Sequence, residues 1–297
     1  MGMDPLFLAE LTLNGAFTGL LYALFAVGLV LIYKSSSVPN LAQGALTMLG
    51  GYVVLAFSAG AGLPLWLAIP LGAGVMFFFG LGIERVALRR LAGQPIIMIL
   101  MMTLGLDILI RGGTLAIWGG TTRPMDLGVS YDPLFVGPLL LNRLQMIGAA
   151  VSLAIFGLVL FFFRTRIGVR LRAISDDYTA SWSIGIPVEQ GVGLSWALAS
   201  VSATAAAVLW GEIQGVDQTL SLLLLKGITV ALLGGLDSVV GALIAGLLLG
   251  IVESVGSALL DPVVGGGSRD LIVAAVLILT VMIRPHGLLG REHIERL

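Results

Sequence analysis

Apolar runs of about 20 residues recur along the whole chain, and that recurrence leaves few folds open. A helix rising 1.5 Å per residue needs about 20 apolar residues to cross the hydrocarbon core of a bilayer. Such runs cover residues 13–33, 41–59, 65–83, 95–119, 144–163, 191–210 and 239–260, with shorter ones at 220–233 and 271–283. Only 11% of residues are charged and 58% are hydrophobic, whereas soluble domains carry about a quarter charged residues. So few charges cannot cover a surface that faces water. The expectation is an all-α, polytopic membrane protein with about eight or nine transmembrane helices, forming one transmembrane domain over residues 1–297. Eight crossings result if the short run 220–233, or the break around Asn40, dips in without spanning.

Loops between the runs set the orientation. Lys and Arg accumulate on the cytoplasmic side. They are densest at 85–90, 164–172 and 284–296. Placing all three inside is consistent with the number of intervening runs. It puts a polar, turn-rich 120–138 loop outside, the 284–297 tail inside and the N-terminus outside. The segment 164–190 is the longest polar interruption. It carries Arg164, Arg166, Arg170 and Arg172 within nine residues, then Asp176 and Asp177. A short helix outside the membrane fits this stretch. On charge alone it is either a docking element for a soluble partner or a loop that only fixes orientation.

Polar groups inside the runs need partners, because a charge near the bilayer centre costs about 2.5–3.5 kcal/mol or more. Asp107 and Arg111 are four apart and share a helix face, so they read as a structural ion pair. Lys226 and Glu253 lie in neighbouring runs, where they either pair or face a path. Asn40, Gln43 and Gly44 sit where a helix restarts after Pro39, the kind of break that lines transport paths or simply caps a helix. Gly246 and Gly250 form a GxxxG helix-packing signal.

Several chemistries are excluded. No cysteine is present, and the two histidines, His286 and His293, lie in the tail. This leaves no thiolate chemistry and no intramembrane His site. No G-x-x-x-x-G-K-[ST] and no G-x-S-x-G occurs, so the chain offers neither a P-loop nor a nucleophile elbow. A net charge of −1 argues against nucleic acid. Asp4 and Glu10 with no basic stretch do not read as a cleavable signal peptide. The chain reads as non-enzymatic, with no metal and no cofactor of its own.

Three stretches carry a resemblance. The first is Gly19-Leu20-Leu21-Tyr22-Ala23-Leu24 through Tyr33. The second is Asn40-Leu41-Ala42-Gln43-Gly44 with Met48-Leu49-Gly50-Gly51-Tyr52. The third is Thr165-Arg166-Ile167-Gly168 through Leu171-Arg172-Ala173-Ile174 to Gly185-Ile186, and Leu233-Gly234-Gly235-Leu236-Asp237 through Ala242 adds to it. Across essentially its whole length the chain resembles the permease subunits of bacterial ABC importers for branched-chain amino acids (LivH type). Two departures stand out. Gln43 replaces a frequent His and cannot titrate in the physiological range. Trp182-Ser183 replaces a smaller or aliphatic pair.

The resemblance implies a multi-pass protein of the inner membrane that forms half of a translocation path. Its partners would be a second homologous permease, two cytoplasmic ATPase subunits that bind the ATP, and a periplasmic substrate-binding protein. The 164–190 segment would be the cytoplasmic coupling loop. Gly168, Arg170, Leu171, Arg172, Ala173, Ile174, Asp176, Trp182 and Gly185 would face the ATPase, with Leu171, Ile174 and Trp182 filling a groove on it. Asn40, Gln43, Gly44, Lys226 and Glu253 are the candidates for lining the path. Alternative readings are the same role for urea or short amides, or a self-sufficient secondary transporter or channel.

Overall fold

The computed structural model describes residues 4–91, 93–176 and 178–290, without the side chains of 176–179. The helices are α1 (Pro5–Ser36), α2 (Gln43–Leu55), α3 (Leu65–Ile83), α4 (Ile96–Trp118), α5 (Arg143–Arg164), α6 (Arg166–Asp176), α7 (Tyr178–Ser183), α8 (Val188–Gln214), α9 (Leu223–Gly234), α10 (Val239–Val264) and α11 (Ser268–Ile283). A small antiparallel hairpin, β1 (Leu134–Val136) with β2 (Leu139–Leu141), turns at Gly137, whose φ is +62°.

Among the described residues seven helical stretches are long and apolar enough to cross a membrane. They are Pro5–Ser36, Gln43–Gly60, Leu65–Leu91, Ile96–Trp118, Arg143–Arg164, Val188–Gln214 and Val239–Val264. Gln218–Gly234 and the 16-residue α11 are shorter. Each of the nine apolar runs has become a helix. Phe78, Ile108 and Phe161 are each at least 67% exposed, an outer surface suited to lipid rather than water.

Breaks between helices follow local chemistry. At the end of α1 the hydroxyls of Ser35 and Ser36 turn back to the Ile32 carbonyl, each at 2.9 Å. Ser37 takes a left-handed φ of 54°, and Pro39 cannot donate to a continuing helix. The 120–138 segment is irregular apart from the hairpin. The Gly265-Gly266-Gly267 turn between α10 and α11 has positive φ throughout, at +86°, +106° and +78°, conformations that glycine adopts without strain.

The chain forms two compact units. The first comprises Met1–Ala26, Gly128–Phe156 and Leu225–Leu297. Within it α1 and α10 meet through glycines: a Cβ on Gly19 would strike the Gly246 carbonyl, and one on Gly250 would strike the Gly15 carbonyl and the Gly19 backbone. Lipid gives no hydrophobic drive to pair helices, so close backbone approach and packing do that work. The hairpin is tied to α1 by Asn14, which donates to the Leu140 carbonyl at 3.1 Å and accepts from the Asn142 amide at 2.9 Å. Past α11 the chain returns to the end of α9, where the Leu288 and Leu289 amides donate to the Leu233 and Gly234 carbonyls.

The second unit comprises Val27–Leu127 and Gly157–Leu224. It is built around α8, most of whose length is buried against α2 and α3. Trp196, Ala199 and Ala203 of α8 pack with Ala45 and Leu46 of α2 and Met76 of α3. Small residues again set the spacing. Gly50 faces Thr204, and Gly80 faces the Trp196 carbonyl and Ser200.

Candidate functional site

The longest polar interruption folds as two short helices, α6 and α7, hung between α5 and α8. Thr165 closes the α5–α6 turn, donating to the Phe162 carbonyl at 2.7 Å. Gly168 is buried there, and a Cβ would run into the Phe162 carbonyl and the Phe163 backbone. Leu171 and Ile174, three apart and 3% exposed each, point at the first turns of α8. Gly191 makes the notch: a Cβ there would lie 2.5 Å from Ile174 Cδ1 and 3.1 Å from Leu171 Cδ2.

This corrects one expectation. Leu171 and Ile174 do not offer themselves to a partner's groove, because their own chain consumes them. The residues left outward include Arg166, Arg170 and Arg172, with Ala173 partly covered, and the apolar Ile167 (49% exposed), Val169 (50%), Trp182 (72%) and Ile184 (75%). Gly185 ends α7 at a φ of +81°. Asp176 closes α6, but its side chain lies outside the described residues, as does all of Asp177.

In the first unit Lys226 and Glu253 do meet. Lys226 Nζ donates to Glu253 Oε1 at 2.8 Å and to the Tyr22 hydroxyl at 2.9 Å. Tyr22 donates in turn to Glu253 Oε1 at 3.2 Å. The ammonium also sits 5.0 Å from the Tyr22 ring centroid and 3.9 Å from the Asp270 carboxylate. Glu253 is 3% exposed, and its Oε2 has no hydrogen-bond partner among the described residues. The ion pair removes most of the cost of placing two charges among apolar helices.

A second polar cluster, in the second unit, went unnoticed in the sequence. Arg89 Nε and Nη2 donate to the two oxygens of Glu84 at 3.2 and 3.1 Å, and Nη1 lies 3.0 Å from Glu189 Oε2. Glu84 and Arg89 are five apart, off the usual three or four spacing of helical pairs. A π-helical turn over Glu84–Leu88 brings them together, since its i→i+5 bonds align residues five apart. The cluster borders a cavity of about 330 Å³. Glu189 stands in the first turn of α8, so this cavity and the α6–α7 segment lie at the same end of the second unit.

Comparisons with known proteins bear on these features. The family described as "Branched-chain amino acid transport system / permease component" matches residues 11–283. The branched-chain amino acid transport permease BraD of Pseudomonas aeruginosa is 30% identical, over 95% of this chain and 96% of that protein. LivH of Escherichia coli, named in the same way, is 28% identical over the full length of both. A probable branched-chain amino acid permease LivH from Methanocaldococcus jannaschii is 30% identical over 91% of this chain and 89% of its own.

The chain belongs to this permease family. It is a multi-pass membrane protein and a transporter subunit, not an enzyme.

Other residues singled out in the permease sequence divide by burial. Asn40 and Gln43 come together in the second unit: Asn40 Nδ2 donates to Gln43 Oε1 at 3.2 Å, and Asn40 Oδ1 accepts from the Ala42 amide at 3.0 Å. Gln43 Nε2 then donates to the Ala199 carbonyl at 3.1 Å. Neither has accessible surface, and a Cβ on Gly44 would strike the Ser221 carbonyl. In this conformation Asn40 and Gln43 hold a helix junction against α8, Gly44 packs on the turn before α9, and none of the three lines an open path. Asp107 and Arg111 form an ion pair along α4. Tyr22, Glu84, Arg89 and Glu189 were missed. Of these only Arg89 lies in the arginine-rich 85–90 stretch, which reads as an orientation signal.

Proposed function

We propose that this chain forms half of the translocation path of an ATP-driven importer for branched-chain or related amino acids in the bacterial inner membrane. The family match over residues 11–283 is the observation that carries this reading. The names of the relatives supply the substrate class.

The proposal extends to orientation and assembly. The N-terminus faces the periplasm and the 284–297 tail faces the cytoplasm, following the arginines. The 120–138 segment is periplasmic. A second homologous permease completes the path, a periplasmic binding protein delivers the cargo, and two ATPase subunits bind the ATP. The chain carries no P-loop, so the motor is external and needs a handle. The α6–α7 segment serves as that handle. Leu171 and Ile174 fasten it to α8, while Trp182, Ile184, Arg170 and Arg172 face the ATPase. A push on α6–α7 then reaches α8, the central helix of the second unit. Lys226 and Glu253 remain candidates for the path wall.

Reconstitution tests the reading. Proteoliposomes holding the permease pair, the ATPases and the binding protein should accumulate leucine, isoleucine or valine only when ATP is supplied. Equal flux through this chain alone would overturn it in favour of a self-sufficient carrier.

A further inference from the structure

The cavity in the second unit has the chemistry of a small amphiphilic solute. Its volume, about 330 Å³, is at the lower end of the range for small-molecule pockets. One wall is apolar, made by Ile32, Val38, Leu88, Ile99, Val192 and Trp196. The opposite features are polar and unbalanced. Glu84 and Glu189 supply two negative charges and Arg89 one positive, so the lining carries a net −1.

The hydroxyls sharpen this. Ser35 donates to the Ile32 carbonyl at 2.9 Å, Ser36 does the same, and Thr103 donates to the Leu100 carbonyl at 2.9 Å. Each hydroxyl has spent its proton on the backbone, so toward the cavity each offers only lone pairs. Gln94, which can donate or accept, also lines the cavity. With two carboxylates and three hydroxyl oxygens against Arg89, acceptors still dominate the polar side, which suits an ammonium group and disfavours a phosphate or a simple carboxylate. Arg89 still has N–H bonds beyond the three it directs at Glu84 and Glu189. They can take one carboxylate held beside the ammonium.

We propose that this cavity is a binding site for a free aliphatic amino acid. The ammonium group would lie among Glu84, Glu189 and the hydroxyl oxygens, the carboxylate on Arg89, and the aliphatic side chain against Ile99, Val192 and Trp196. Glu189 of its lining stands in the first turn of α8, at the α6–α7 end of the second unit, which is the ATPase side on the importer reading. The identity of the cargo rests on the importer reading, but the site rests on the cavity itself.

The test is equilibrium binding of radiolabelled L-leucine to the purified full chain in lipid nanodiscs, without ATPases. Saturable binding is expected. Competition by 4-methylpentanoate, which lacks the ammonium, should be at least about tenfold weaker than by unlabelled leucine, from the loss of charge-assisted hydrogen bonds. Ile99→Trp, which fills the cavity without touching the ion pairs, should abolish binding, and Glu189→Gln, an exposed and structurally mild change, should weaken it by about tenfold. Three results overturn the proposal. They are no saturable binding up to millimolar leucine by a chain that unfolds cooperatively, binding unchanged in Glu189→Gln, and equal competition by 4-methylpentanoate. None of these touches the importer reading, which ATP-dependent uptake by the assembled complex tests separately.

Discussion

Glu253 and Glu84 are equally buried, each 3% exposed, yet their surroundings differ. In the first unit Glu253 gathers its partners on one oxygen, Oε1, which takes both Lys226 and Tyr22. In the second unit Glu84 engages Arg89 through both oxygens, and Arg89 reaches on to Glu189, whose side chain is 63% exposed. The first cluster holds Lys226 between Glu253, the Tyr22 hydroxyl and, at 3.9 Å, the exposed Asp270, with only 19% of the Lys226 side chain exposed. The second is stretched from a buried acid to an exposed one and has a cavity beside it. The same residue type thus supplies a shielded ion pair in one place and part of a cavity wall in the other. Burial of the acid does not separate these roles; the exposure of the paired cation does, 19% for Lys226 against 36% for Arg89.

The largest expected effect lies in the locked pair. Glu253→Ala leaves the Lys226 ammonium with only the Tyr22 hydroxyl and the exposed Asp270 carboxylate 3.9 Å away, and should cost about 3 kcal/mol. It should be seen as a collapse in the yield of folded protein or in the detergent unfolding midpoint. The double change Lys226→Met with Glu253→Met should recover most of that loss. If the single change is mild, the cluster is wetter than its geometry implies, and a place in the path gains weight.

Next is the packing that encloses it. Gly250→Val sets a branched side chain against the Gly15 carbonyl and the Gly19 backbone, and should destabilise by about 1–3 kcal/mol in the same unfolding assay. Glu189→Gln, in the open cluster, should cost no more than about 1 kcal/mol, because the pair it breaks is exposed. Equal losses from Glu253→Ala and Glu189→Gln would erase the contrast.

The smallest effect concerns Asp217, which caps the turn before α9 by accepting from the Thr219 amide at 2.8 Å. Burial alone would raise its carboxyl pKa. Hydrogen bonds from the Thr219 and Thr122 hydroxyls, and from the Thr219 amide, outweigh burial and hold the pKa below the usual carboxylate value. A group depressed in the folded state stabilises above its ordinary pKa and loses that contribution as pH falls through the lowered value. Asn caps a turn as well as Asp, so Asp217→Asn removes only the charge that these hydrogen bonds favour and should cost about 0.5–1 kcal/mol at neutral pH. The gap between variant and parent should close as unfolding is followed into acid.

Much of the fold was legible because a bilayer imposes length. All nine apolar runs became helices, and seven of the described helical stretches are long and apolar enough to cross, since a segment in lipid must satisfy its backbone internally. Their ends were less legible. α10 runs through Asp261 and Pro262 to Val264, past the loop start that Pro262 suggests, because a proline in the last turn forfeits only one hydrogen bond before the glycines take over. Helix pairing was not legible at all. Gly246 and Gly250 signalled close packing, but their partners Gly15 and Gly19 lie more than two hundred residues earlier among 41 glycines.

The candidate sites show the same divide. Adjacent charges such as Asp107 and Arg111 can be paired from helical spacing, whereas Glu84 and Arg89 meet only because a π-turn changes that spacing. The arginines of 164–172 left a docking element and an orientation signal both open, and only the family resemblance favoured docking. Neither could say that Leu171 and Ile174 face α8, because a sequence shows that a face is apolar and not what covers it.

The central claim is that α6–α7 is the handle by which an external ATPase moves this permease, and Trp182→Glu tests it most directly. Trp182 is exposed, so the change should alter stability by no more than about 0.5 kcal/mol. In proteoliposomes carrying the complete importer, ATP hydrolysis and leucine uptake should be measured together. The account predicts that uptake falls at least tenfold while the permease remains folded and inserted, and that Trp182→Phe retains uptake. Uptake at the parent rate in Trp182→Glu would contradict it.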